Sequence, residues 1–138
     1  MKENRIIDKI NDIEKFLEEL ESIMPFDFEE YENDFKIRAV CERNFEKIIE
    51  AVVDLAFIII KENKMKIPEE DKRAFDILAS SKIISSGLSE KLKEAKGMRN
   101  IIAHEYGKID DEKVFKAITE ELIPDVKKFL ELVVRLSK

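Results

Sequence analysis

Apolar residues recur at intervals of three and four along nearly the whole chain, and no stretch alternates as a half-buried strand would, so the expected class is all-α. Ile6, Ile10, Ile13, Leu17, Leu20 and Met24 form one stripe of a first helix. Pro25 ends it, because the ring disfavours helical geometry in the residue before it. Residues 25 to 30 read as a loop, and a second helix is expected over Tyr31 to Asn63. That helix carries two stripes: Cys41, Phe45, Ile48, Val52, Leu55 and Ile59, then Ile49, Val53, Phe57 and Ile60. At ~100° per residue the two lie about a third of a turn apart. So broad an apolar face calls for burial on two sides, at the centre of a bundle, in a dimer contact, or both. The remaining arc holds Arg43, Lys47, Glu50, Asp54 and Lys61, which read as solvent-exposed pairs at helical spacing.

Pro68 is placed to open a short third helix through Leu78, since proline fits a first turn. Ser80, Ser81, Ser85, Ser86 and Gly87 mark a loop, after which Ser86 or Ser89 caps a fourth helix that runs to Gly107. Asp110 caps a fifth, reaching Leu136 with Val114, Ala117, Ile118, Leu122, Val126, Phe129, Leu130 and Val133 turned inward. Pro124 is expected to kink or split it. There is no internal repeat and no low-complexity tract, and residues 1–138 read as one helical domain.

Composition narrows the function class. A lone cysteine, Cys41, excludes an intramolecular disulfide, and no Cys/His cluster has metal-ligand spacing, so a reducing cytoplasm is the expected setting and no metal is called for. Residues 1–15 mix charges with isoleucines and lack the apolar core of a signal peptide. The longest apolar run, Ala51 to Ile60, is interrupted by Asp54 and falls short of the ~20 residues that cross a bilayer, so no membrane partner is expected. Charged residues make up 41% of the chain and glutamine is absent, a composition like that of heat-adapted proteins. A net charge of -6 argues against indiscriminate nucleic-acid binding, which depends on a basic surface. The stretch from Lys91 to Lys108 departs in sign, with Lys91, Lys93, Lys96, Arg99 and Lys108 against Glu94 and Glu105.

That stretch also holds His104, the only histidine, and histidine is the side chain that both takes and gives a proton near neutrality. On a helical wheel Leu88, Leu92, Ala95, Arg99, Ile102, Ala103 and Tyr106 share one face, so Arg99 is a cation inside an apolar stripe. Burying a guanidinium without a partner is expensive, and Arg99 must therefore meet a carboxylate, a phosphate or water. Asn100 and His104 lie one turn apart on an adjacent face with Lys93, Lys96 and Gly97, a surface suited to an anion, where the glycine lets a backbone or ligand come close. Arg99 and His104 are about 140° apart around the axis and ~7.5 Å along it, so one helix presents them imperfectly. Without more, His104 is a histidine favoured at a helix end by the dipole, Arg99 an ion pair with Asp54 or Glu50, and Tyr106 a packed ring with a solvated hydroxyl.

The sequence Arg99-Asn100-Ile101-Ile102-Ala103-His104-Glu105-Tyr106 resembles the motif of HEPN domains, arginine, four residues, histidine, one residue, tyrosine, and its context resembles the HepT-like branch. The similarity extends to Arg43 and the segment Ile49 to Ala56, to Ile84 through Gly97, and to Gly107 through Asp110. Met98 stands where a bulkier aromatic is frequent, and Pro124 interrupts the last helix; neither touches the motif. The resemblance implies a four- to five-helix up-and-down bundle that dimerises and brings two motifs into one cleft. It further implies a metal-independent endoribonuclease, the toxin beside a small nucleotidyltransferase antitoxin that transfers AMP to Tyr106.

Chemistry agrees with part of this. Cleavage of RNA by its own 2′-hydroxyl needs a base, an acid and positive charge at phosphorus, and a two-fold dimer supplies two copies each of His104 and Arg99. The expected roles are proton transfer for His104, phosphorane stabilisation for Arg99, and phosphate or imidazole orientation for Asn100. Lys93 and Lys96 bind RNA, with Arg43 and Asp54 as supporting residues, and no cofactor takes part. The competing reading is a non-catalytic helical dimer whose motif is a docking and modification site for a nucleotidyltransferase; a third is a purely structural bundle.

Overall fold

A computed structural model describes residues 2–104 and 109–136 as helices joined by short turns, with no strand among the described residues. In chain order these are α1 (Lys2–Ser22), α2 (Phe28–Asn33), α3 (Phe35–Glu62), α4 (Asp71–Ser80), α5 (Ser86–His104), α6 (Asp111–Lys116), a π-helical turn (Ala117–Glu121) and α7 (Leu122–Leu136). The all-α expectation holds.

α3 is the centre. Most of both stripes is covered within the chain: Cys41, Phe45, Ile48, Val52, Leu55 and Ile59 are buried, as are Ile49, Val53 and Ile60, while Phe57 is only partly buried. α1, α4 and α5 lie against it, so the breadth of its apolar face is accounted for by the bundle itself. α1 contributes Ile10, Ile13, Leu17 and Leu20, and α7 contributes Val126, Phe129, Leu130 and Val133, the ring of Phe129 meeting that of Phe75 edge-on at 6.3 Å.

Three local readings need correction. Residues 25 to 30 are not all loop, and Tyr31 does not open the long helix: Asp27 accepts from the Glu30 amide at 2.9 Å and starts α2, and Asp34 accepts from Lys36 and Ile37 at 3.0 and 3.2 Å and starts α3. Two aspartates seven residues apart thus cap two successive helices. α4 begins at Asp71 rather than Pro68. Before α5 the capping oxygen belongs to Ser85, which accepts from the Leu88 amide at 3.0 Å, while Ser89 is buried within the helix.

The last segment keeps its predicted Asp110 cap, which accepts from Glu112 and Lys113. Pro124 does not end the helical run, which continues from Asp111 to Leu136 through a π-turn. Proline has no amide to donate and its ring crowds the carbonyl four residues back, and the helix widens into the π-turn just upstream, where Thr119 returns its hydroxyl to the Phe115 carbonyl at 2.8 Å.

At the α2 and α6 end Tyr31 is fully buried and its hydroxyl has no partner among the described residues. Glu42 stands beside it, its carboxyl pushed above the usual range by burial and by the neighbouring charge of Asp111. The folded state therefore holds the Glu42 proton more tightly than the unfolded chain does, and the ionised carboxylate is a liability above its raised value. Glu42→Gln is expected to raise the melting temperature at pH 7, with the gain fading as pH falls toward the ordinary value of 4.5. Melting curves of the two proteins across pH 4–8 check this.

Candidate active site on the fifth helix

α5 packs against α3, α4 and α7 with Leu88, Leu92 and Ile102 buried, and Arg99 meets α3 through Glu50. The expected partner for the buried cation is present. Glu50, on the polar arc of α3, receives a hydrogen bond from Nη2 of Arg99. The arginine side chain keeps only 16% of its exposure while that of Glu50 keeps 47%, so the pair sits at the edge of the bundle with the guanidinium as its inner member. Nη1 of Arg99 donates to Oδ1 of Asn100 at 3.4 Å, and Nε is buried with no partner among the described residues. Arg99 is thereby held from two sides.

His104 is exposed in the last turn of α5. Asn100, expected to share a surface with His104, is instead bonded to Arg99. Tyr106, and Gly107 with its expected role of closing the helix, lie outside the described residues.

The remaining candidates are not gathered around Arg99. Lys93 donates to Asp76 of α4 at 2.8 Å and lies 2.9 Å from Glu90, and its ammonium is pushed above the usual range by the hydrogen bond to Asp76 and then that to Glu90. Lys96, almost fully buried, pairs with Asp71 at 3.3 Å. Both lysines therefore tie α5 to α4, and an incoming anion competes there with three carboxylates. Asp54 turns to Lys9 of α1 at 3.6 Å. Arg43 is exposed on the arc of Glu50, two turns earlier in α3.

One group was missed from sequence. A Cβ built on Gly97 would stand 3.1 Å from Nζ of Lys72, so the space above this glycine is taken by a lysine of α4. The glycine itself was the only signal. Among the described residues no three His, Cys, Asp or Glu side chains converge as a metal site requires.

A cation set into an apolar stripe, bonded to an amide beside it, with an exposed imidazole little more than one turn on, can position a phosphate and exchange protons with it. Known proteins resemble this chain in sequence and fold. The chain is 27% identical over 128 residues to the "mRNA nuclease HepT" of Shewanella oneidensis, covering 93% of this chain and 95% of that one. It is 27% identical over 107 residues to the "tRNA nuclease HepT" of Aphanizomenon flos-aquae, covering 78% and 73%. A solved structure of the tri-AMPylated Shewanella oneidensis HEPN toxin in complex with its MNT antitoxin superposes with a TM-score of 0.88 at 26% identity, over 94% of this chain and 96% of that one. A crystal structure of a toxin-antitoxin pair with AMP-PNP gives 0.87 at 25% identity, over 94% and 97%. The profile of HepT-like ribonucleases matches residues 13–133, and with that span the chain belongs to the HepT-like family.

Proposed function

We propose that this chain, acting as one helical domain in the cytoplasm, is the endoribonuclease toxin of a two-component pair and is silenced by a nucleotidyltransferase that attaches AMP to Tyr106. The observation that carries the reading is the half-buried Arg99, fixed by Glu50 and Asn100 on the helix that presents His104, in a chain so similar to nucleases and to an AMPylated toxin.

Two copies of the chain pair, so that two imidazoles and two guanidinium groups face one RNA strand. One His104 takes the 2′-hydroxyl proton as the 2′-oxygen bonds to phosphorus. The bond from phosphorus to the 5′-oxygen breaks, and the partner subunit's His104 returns a proton to that oxygen, leaving a 2′,3′-cyclic phosphate and a 5′-hydroxyl. Arg99 offsets the charge that builds on the phosphorane oxygens. Asn100 holds the guanidinium and Arg43 adds positive charge from α3, while Lys93 and Lys96, paired to α4, and Asp54, paired to Lys9, hold the helices that carry the site. AMP on Tyr106 would bring a further phosphate to the cleft and repel the substrate.

RNA incubated with the purified protein in chelator is expected to be cut to products ending in 2′,3′-cyclic phosphate, and prior treatment with the partner, ATP and Mg²⁺ is expected to stop it. AMP transfer to Tyr106 with no cleavage before or after it would favour the non-catalytic docking module instead.

A further inference from the structure

Gly97, Asn100 and His104 lie on one side of α5, within about 60° of one another at ~100° per residue. The group that α4 places on this side is the ammonium of Lys72, whose Nζ occupies the space a side chain at position 97 would need. Its neighbours are otherwise engaged: Lys93 is bound by Asp76 and Glu90, Lys96 by Asp71, and Arg99 by Glu50. Lys72 is exposed and makes no ion pair among the described residues. We infer that Lys72 is an RNA-binding residue of this site, contacting a phosphate that flanks the scissile one.

The geometry separates it from the chemistry. Seven residues divide Gly97 from His104, which is about 10 Å along the helix, too far for the ammonium to touch the reacting phosphorus but suitable for a neighbouring phosphate of the same strand. The absent Cβ at position 97 gives the role a physical reason, because it lets a lysine from another helix lie flat on α5 instead of standing off it. Lys72 itself lines a shallow groove with Arg73, Lys93, Glu70, Asp76, Glu90 and Glu94.

The inference rests on the ribonuclease reading. It is tested with Lys72→Ala, Lys72→Arg and His104→Ala on a labelled single-stranded RNA pool of random sequence, measuring binding across salt concentrations and steady-state cleavage. Lys72→Ala is expected to raise KM by several-fold with kcat kept, and to lower the slope of log affinity against log salt by about 0.7, the contribution of one phosphate contact on a single strand. Lys72→Arg is expected to restore both. Unchanged KM and slope in Lys72→Ala, or a loss confined to kcat, overturns the inference while cleavage by the unsubstituted chain that is lost in His104→Ala keeps the ribonuclease reading. Cleavage surviving in His104→Ala overturns that reading on its own account, and no binding by the unsubstituted chain overturns both.

Discussion

His104→Ala is expected to lose RNA cleavage by 10²- to 10⁴-fold, the usual range for removing a general acid or base. The chain has no second histidine, so nothing nearby can assume its proton transfers at neutral pH. The fold is expected to survive, because the imidazole is exposed at the end of α5 and the helix is anchored elsewhere, by Leu88, Leu92 and Ile102 against the core. Circular dichroism and the melting temperature should therefore match the unsubstituted chain while product formation vanishes. Since both proton transfers are assigned to copies of the same residue, cleavage should also rise and then fall with pH, one imidazole being needed neutral and the other charged. Single-turnover rates over pH 5–9 check this, and a flat profile would remove histidine from the chemistry.

How much of this was readable in the residues differs from element to element. The two stripes of α3 and the inward face of α6 and α7 follow from spacing alone, since burial of an apolar stripe is the largest favourable term in folding and periodicity records it directly. The short α2 was hidden because six residues carry too little periodicity. Its signal was the pair of capping aspartates, Asp27 and Asp34, which read equally well as loop residues. Arg99 shows the limit in the site. Its place in an apolar stripe demanded a partner, yet Glu50 and Asp54 differ by only about 40° around α3, and which of them faces α5 depends on where α1 sits. Lys9 of α1 takes Asp54, leaving Glu50 for Arg99. Lys93 and Lys96 were legible as charges but not as ties to α4, because their carboxylates are some 17 to 25 residues away in sequence and only the orientation of α4 brings them near. Lys72 was invisible for the same reason, and Gly97 could say only that something came close.

Arg99→Ala is expected to lower kcat by about 10²- to 10³-fold, the loss seen when one preorganised donor to a developing oxyanion is removed. Stability should respond in the opposite order to activity. Removing Arg99 leaves Glu50 with nearly half of its side chain already in water, so the melting temperature should hardly move. Removing Glu50 leaves a largely buried guanidinium whose Nε has no acceptor among the described residues, and stranding such a charge costs about 1–3 kcal/mol. Glu50→Ala should therefore be the less stable variant although it keeps the cation that the reaction needs. Glu50→Gln separates position from charge, since an amide oxygen can still accept from Arg99 while the compensating negative charge is gone. It should hold the guanidinium in place and bind RNA more tightly than the unsubstituted chain at low salt, the difference shrinking as salt screens it. Weaker binding in Glu50→Gln would mean that the carboxylate assists the substrate rather than restraining the arginine, and would move Glu50 into the catalytic assignment in place of its role as an anchor.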